Sequence, residues 1–263
     1  MIRGVDLHKS FEDVEVLKGI TTEFEAGKTN LIIGRSGAGK TVLLKLLVGL
    51  MEPTSGEIWY GDRNFLALNK MQKRALRMEV GMLFQGNALF DSMSVEENIM
   101  FPLDMFTNRT RKEKLDRVNY CLNRVSLDGV NDKYPSEISG GMQKRVGIAR
   151  AMVLQPAYLF CDEPNSGLDP KTALVIDELI HDITVEFNMT TVINTHDMNS
   201  VMGIGDNVVL LHQGKLAWRG NKSEVLESTN ETLQNFIFAS PFLRQLRDAA
   251  LDSNESLGSS QTD

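Results

Sequence analysis

Short apolar runs that end at a glycine or a polar cluster alternate along this chain with longer stretches of three-to-four apolar spacing. LII at 31–33 precedes a glycine, AYLFC at 157–161 precedes Asp162-Glu163, and TTVIN at 190–194 precedes Thr195-His196. Each run is too short for a helix and carries no charge, as in a strand covered on both faces. Between them Val42, Leu43, Leu46, Leu47 and Leu50 follow Lys40 at helical spacing, a unit that Pro53 and Gly56 are expected to end. Residues 171–187 repeat the helical pattern through Leu174, Ile176, Ile180 and Ile183. EVGMLFQ at 79–85 is another strand-like run, and 207–220 reads as a hairpin about Gln213-Gly214. Residues 1–30 read as three short strands, 2–7, 14–17 and 20–24. Strands alternating with helices predict an α/β fold with a largely parallel sheet and crossover helices. From about 87 to 150 the chain is polar, rich in Met and helical in pattern, which predicts an inserted helical subdomain.

Composition narrows the class. The chain has 263 residues, 42% hydrophobic and 24% charged, enough for one large domain or two small ones. A net charge of −7 argues against a nucleic-acid partner, since that class favours a basic surplus. Cys121 and Cys161 are the only cysteines and sit in no metal-ligand spacing, which suits a reducing cytosol. The N-terminus does not read as a signal peptide, and no apolar run reaches the ~20 residues that span a bilayer. A membrane role is therefore expected to run through a partner. The small, polar stretch 251–263 reads as disordered.

Chemistry concentrates after the strands. GRSGAGKT at 34–41 fits the phosphate-loop pattern between a strand and a helix. Gly34, Gly37 and Gly39 let the backbone approach a phosphate, Lys40 neutralises its oxygens, and Thr41 offers a hydroxyl to Mg²⁺. Asp162, at the end of the second apolar strand, is placed to hold the same metal, and Glu163 to orient and deprotonate water. His196 follows the third strand and Gln85 ends the strand-like run 79–85, so both are expected at the same edge of the sheet. Gln85 is a candidate metal or water ligand; His8, His181 and His212 read as structural. ISGGMQKR at 138–145 places a serine and two glycines at the head of another helix, a second start suited to an anion.

Taken in order, GRSGAGKT, Gln85, ISGGM, YLFCDE, SGLD at 166–169 and His196 resemble the motifs of ATP-binding-cassette ATPases over about residues 1–225. The resemblance implies a P-loop NTPase with a RecA-like core, an antiparallel β subdomain and a helical subdomain carrying ISGGM. It implies ATP and Mg²⁺ as cofactors, with Arg35, Ser36, Ala38 and Val42 sharing the phosphate loop and Phe11 stacking on the adenine. Ser139, Gly140 and Gly141 would bind the ATP held by another subunit, and Asp169 would lie at the dimer interface. One lysine loop and one glycine-pair loop per chain, if far apart, make complete sites only in a two-fold homodimer. Ile138 and Met142 depart from the commoner leucine and glutamine of the signature. Neither change removes a serine or backbone donor. Lys144 and Arg145 are expected on a solvated face, with a phosphate-proximal role as the alternative.

A single cassette without a coiled coil fits the ATPase subunit of a membrane transporter better than a soluble cassette protein or a chromosome ATPase. FQGNALFDSMSVEENIMFPL at 84–103, DEPNSGLDP at 162–170 and the segment 195–220 are similar to the Mla/Mce-associated lipid-transport group, as is FIFASPFLRQL at 236–246. That likeness implies a polytopic permease and an Mce-type substrate-binding protein as partners, at the cytoplasmic face of a bacterial inner membrane. An amino-acid-type importer is the alternative. Leu89, Phe90 and Met93 are expected to line a groove for a permease helix. Residues 226–250 form an extension whose Phe236, Phe238, Phe242 and Leu243 could pack on the chain's own core or on a partner.

Overall fold

A computed structural model of the protein describes residues 1–86 and 88–238. The first elements are β1 (Ile2–Phe11), β2 (Val14–Phe24), β3 (Lys28–Ile33), α1 (Lys40–Val48), β4 (Ser55–Tyr60), β5 (Arg63–Asn64), α2 (Lys70–Met78) and β6 (Val80–Leu83). A helical segment follows as α3 (Val95–Phe106), α4 (Arg111–Arg124) and α5 (Gly140–Met152). The chain then returns to strands through β7 (Tyr158–Asp162), α6 (Pro170–Glu186), β8 (Thr190–Asn194) and α7 (Met198–Ile204). It continues through β9 (Asn207–His212), β10 (Lys215–Gly220), α8 (Lys222–Glu227) and α9 (Glu231–Ile237).

The main sheet has the order β10-β9-β3-β8-β7-β6. From β9 to β6 all neighbours are parallel; β10 adds an antiparallel edge. Side chains on a strand alternate between faces, and here each apolar run serves two cores. Leu31, Ile33, Leu159, Cys161 and Ile193 enter the core shared with α3, α5 and α6. Ile32, Phe160, Val192 and Val209 enter the core shared with α1 and a second sheet. That sheet is antiparallel, in the order β2-β1-β4-β5. A core on each face explains why the central runs contain no charge.

Several boundaries differ from the sequence pattern for identifiable reasons. Residues 14–24 form one strand rather than two. Leu7 pairs with Ile20 and His8 with Lys18, so Gly19 is the extra residue of a bulge, at φ +75°. Helix α1 stops at Val48 rather than near Pro53, because Gly49 adopts φ +78° and its N–H caps Leu46 O. Pro53 and Gly56 lead instead into β4. Helix α2 has no apolar period to detect, since Leu76 is its one buried residue. Helices α3 and α4 begin in capping boxes, Ser94 with Glu97 and Thr110 with Glu113, signals the sequence carries openly. The expected helical segment is present as α3 to α5. On α9, Leu233 and Ile237 are buried, and Phe236 and Phe238 pack against the chain's own core. Phe242, Leu243 and the tail 251–263 lie outside the described residues.

Candidate functional site

Four neighbouring parallel strands deliver the chemistry at their C-terminal ends, where ligands of open α/β sheets bind. The phosphate loop follows β3, Gln85 follows β6, Glu163 follows β7 and His196 follows β8. The loop from Gly34 to Val42, Gln85, Glu163 and His196 line one cleft of about 1020 Å³. Ala38 is buried behind that loop. Gly39 caps α1 at φ +101°, and a Cβ there would lie 2.7 Å from Leu17 Cδ2, so glycine is needed on both counts. Lys40 is 8% exposed, and its ammonium donates to the carbonyl oxygens of Gly34 at 2.8 Å and Arg35 at 3.3 Å. Burial draws its pKa below the usual lysine range, while Glu163 and Asp162 oppose that shift.

Glu163 is held from three directions. Gln85 Nε2 donates to one carboxylate oxygen at 3.0 Å, and His196 Nδ1 meets the other at 3.1 Å. Its backbone N–H donates to Asn194 O at 2.8 Å. The residue adopts φ +47°, a left-handed conformation that costs energy in a non-glycine residue and here aims a carboxylate into the cleft. Asp162 lies deeper, 9% exposed. Asn194 joins it to the phosphate loop: Nδ2 donates to Asp162 Oδ1 at 2.8 Å and to Thr41 Oγ1 at 3.3 Å.

These groups suit Mg²⁺. A hydroxyl, a carboxylate and an amide oxygen are hard donors, and such sites complete their shell with phosphate oxygens and water. The Asn194 bridge already brings Thr41 and Asp162 to one point, and Asn194 Oδ1 is a buried acceptor with no protein partner. Among the described residues no cluster of His, Cys, Asp and Glu could hold a metal without such help. Thr41, Asp162 and Gln85 would therefore hold the ion.

The signature segment lies elsewhere. Ser139 caps α5 by accepting from Met142 N at 3.3 Å, and its own O–H remains a donor. Ser139, Gly141 and Met142 line another cleft, of about 420 Å³, with Asp128, Arg145 and Thr172. The two clefts share no residue. Asp169 caps α6 through Thr172 N at 3.0 Å, and the Thr172 hydroxyl and amide hold its carboxyl below the usual range. Phe11 is 42% exposed, with the Lys9 ammonium 5.1 Å from its ring centre, and is not among the residues lining the phosphate cleft.

Some functional positions escaped the sequence reading. Val16 and Phe236 line the phosphate cleft. Asn194 could have been found by the strand-end logic that found Asp162, because it ends the buried run TTVIN. The expectation for Lys144 is overturned: it is 2% exposed, and its ammonium donates to Gln85 O at 2.7 Å. No local pattern marks it, since the acceptor lies 59 residues away.

Beside Gln85 is a groove of about 400 Å³ whose ring surface comes from Phe84, Phe90, Phe101 and Phe106, with Arg77 and Arg150 also lining it. Phe90 lines a groove, as expected. Leu89 instead packs against the core, and Met93 is not among the lining residues.

The fold and cleft define a phosphate-loop nucleotide hydrolase whose signature loop lines a cleft separate from its own phosphate site. Residues 17–166 match the ABC transporter family model. The chain is 37% identical over 231 residues to the probable ribonucleotide transport ATP-binding protein mkl of Mycobacterium leprae, covering 88% of this chain and 67% of that one. Across the mycobacterial mkl proteins the chain spans 64–67% of their length. It is 39% identical over 242 residues to the methionine import ATP-binding protein MetN of Xanthomonas campestris, covering 90% of this chain and 72% of that one. Among solved structures, the dimeric post-hydrolysis state of the cassette MJ0796, bound to ADP and Pi, aligns with TM-score 0.77 and 27% identity. That alignment covers 84% of this chain and 99% of that one.

This chain belongs to the ABC transporter family. It is an ATP-binding cassette with ATPase activity, using ATP and Mg²⁺. An ion held by Thr41, Asp162 and Gln85 would supply charge neutralisation for phosphoryl transfer. The chain's own residues would contribute the Lys40 charge, the backbone cradle, and a Glu163 carboxylate, contacted by Gln85 and His196, placed to take the proton of an attacking water. Among the described residues no helix is long and apolar enough to cross a membrane.

Proposed function

We propose that this chain is the ATPase subunit of a transporter that moves phospholipid between bacterial membranes, acting as an ATP-driven homodimer at the cytoplasmic face of the inner membrane. The observation that carries the dimer is the separation of the two clefts: the phosphate loop and Ser139 serve different spaces in one chain. Two copies related by a two-fold would bring Ser139, Gly140 and Gly141 of each to the phosphate cleft of the other. Asp169, at the cap of α6, would lie between them. ATP then closes the pair and hydrolysis releases it, a γ-phosphate switch.

The Phe84–Phe90 groove supports a membrane subunit as partner, because exposed aromatic rings beside a basic pair suit a short helix laid in a groove. The lipid assignment, and with it an Mce-type substrate-binding protein, rests on the likeness of segments 84–103, 162–170 and 195–220 to that group. A small-solute importer is the second reading, favoured by the 36–39% identity to methionine import proteins. Purification of the complex from membranes distinguishes them. Co-elution of a polytopic permease, an Mce-type protein and phospholipid is expected, and a soluble solute-binding protein in their place would favour the importer. Phe90→Asp should lose the permease while ATP binding persists; intact copurification would remove the groove assignment.

A further inference from the structure

Gln85, Gly86, Ala88 and Phe90 are all exposed, so the segment leading from the phosphate cleft to α3 owes little of its order to buried side chains. Its main chain is held instead, by side chains from two helices. On α5, Lys144 Nζ donates to Gln85 O at 2.7 Å and Arg150 Nη1 to Ala88 O at 2.8 Å. On α3, Asn98 Oδ1 accepts from Phe90 N at 2.8 Å, and Nδ2 donates to the carbonyls of Phe90 and Met93, each at 3.1 Å. Arg150 Nη1 also meets Asn98 Oδ1 at 3.5 Å, and its guanidinium lies 5.9 Å from the centre of the Phe90 ring.

We propose that Arg150 and Asn98 are positioning residues for ATP hydrolysis: by holding the main chain at Ala88, Phe90 and Met93 they complete the mount that Lys144 begins at Gln85, and so set where the Gln85 side chain meets Glu163. The proposal rests on Gln85 serving the phosphate cleft.

Two further observations support this role over simple packing. Ala88, whose carbonyl Arg150 holds, adopts φ +48°, a left-handed conformation that persists in a residue with a Cβ only when its surroundings impose it. Asn98 is 0% exposed and Lys144 2%, and both direct their donors at main-chain carbonyls of this one segment. Burying an ammonium against a carbonyl costs desolvation that an apolar side chain would avoid. Polar groups that weaken the fold while fixing the neighbour of a catalytic carboxylate fit a stability–activity trade-off.

The test compares Arg150→Met, Arg150→Lys, Lys144→Met and Gln85→Ala with wild type in the full-length chain. It measures kcat, KM for Mg-ATP, nucleotide Kd, Tm and amide hydrogen exchange. Arg150→Met should lower kcat about tenfold, the scale of a slightly misplaced catalytic group, with Kd and KM within about twofold. Its Phe90 and Met93 amides should exchange about tenfold faster while those of β7 and β8 keep their rates. Arg150→Lys, which retains a donor for Ala88 O, should recover most of both. Arg150→Met combined with Lys144→Met should lose less than the product of the two single losses, as expected for groups acting on one segment. Wild-type kcat in Arg150→Met would overturn the proposal, as would a kcat loss that tracks a falling Tm and faster exchange in β7 and β8. Gln85→Ala separates the proposal from the reading beneath it. Retained kcat there removes the role of Gln85 and the proposal with it; kcat lost there but kept in Arg150→Met removes the proposal alone. If Arg150→Met does not fold, wild-type exchange decides: Phe90 and Met93 amides exchanging as fast as an exposed loop would overturn the proposal by themselves.

Discussion

The ammonium of Lys144 donates to the main-chain carbonyl of Gln85 at 2.7 Å, tying the helix that starts at the signature serine to the glutamine that touches Glu163. The same helix thus lines one cleft through Gly141 and Met142 and is bonded to a residue that lines the other. Lys144→Met keeps the length and apolar stem but removes the donor. Nucleotide Kd should stay within about twofold while turnover falls about tenfold to a hundredfold, since Gln85 and Glu163 lose their fixed spacing. Steady-state hydrolysis beside equilibrium nucleotide titration checks this, and an unaltered turnover would mean the bond serves packing alone.

Glu163→Gln preserves the shape of the side chain and its contacts with Gln85 and His196 but cannot accept a proton. Hydrolysis should drop by about 10²–10⁴-fold. An ATP-bound dimer should accumulate, visible by size-exclusion chromatography with ATP and absent with ADP. A monomer under both conditions contradicts the dimer switch, and normal turnover contradicts the base assignment.

Asn194 holds Asp162 and Thr41 together without being one of the expected metal donors. Replacement by Leu should shift the Mg²⁺ dependence of ATPase to about tenfold or more higher concentration, as seen when partners of metal ligands are removed. Saturating Mg²⁺ should restore part of the rate. A Mg²⁺ curve identical to wild type would place the ion elsewhere.

The Asp177 environment also gives a pH dependence. Burial raises its pKa above 3.8, Ser200 and Asn165 oppose the rise, and the charges of Asp197 and Glu178 add to it. Folding therefore favours the protonated form. That stabilising contribution is complete below the unfolded value of 3.8 and is lost as pH rises through the higher folded value. Asp177→Asn cannot ionise, so its Tm should exceed wild type near pH 7 and the gap should shrink as pH falls toward 4. A gap constant with pH would mean the carboxylate is not penalised in the fold.

Much of the site was legible because strand ends and glycine loops are local signals. Lys40, Asp162, Glu163 and His196 each follow an apolar run closely enough for the sheet edge to be inferred. The bulge at Gly19 and the helix stop at Gly49 left no distinct mark, because a glycine looks the same in sequence whether it forms a bulge, a helix stop or a turn. The burial of Lys144 and the place of Phe236 in the phosphate cleft were not legible because their partners are remote in sequence, nor was Asp177, because α6 periodicity marks apolar positions and not a buried acid.

By itself the sequence determined the alternation of strands and helices, the phosphate loop and the set of acids and amides that serve it. All of these depend on residue type and spacing over a few positions. Tertiary structure decided which charges are buried, which amide bridges Thr41 to Asp162, and that Ser139 opens onto a cleft separate from Lys40. Those outcomes depend on which distant segments meet, and burial and hydrogen-bond partnership arise only once they have met.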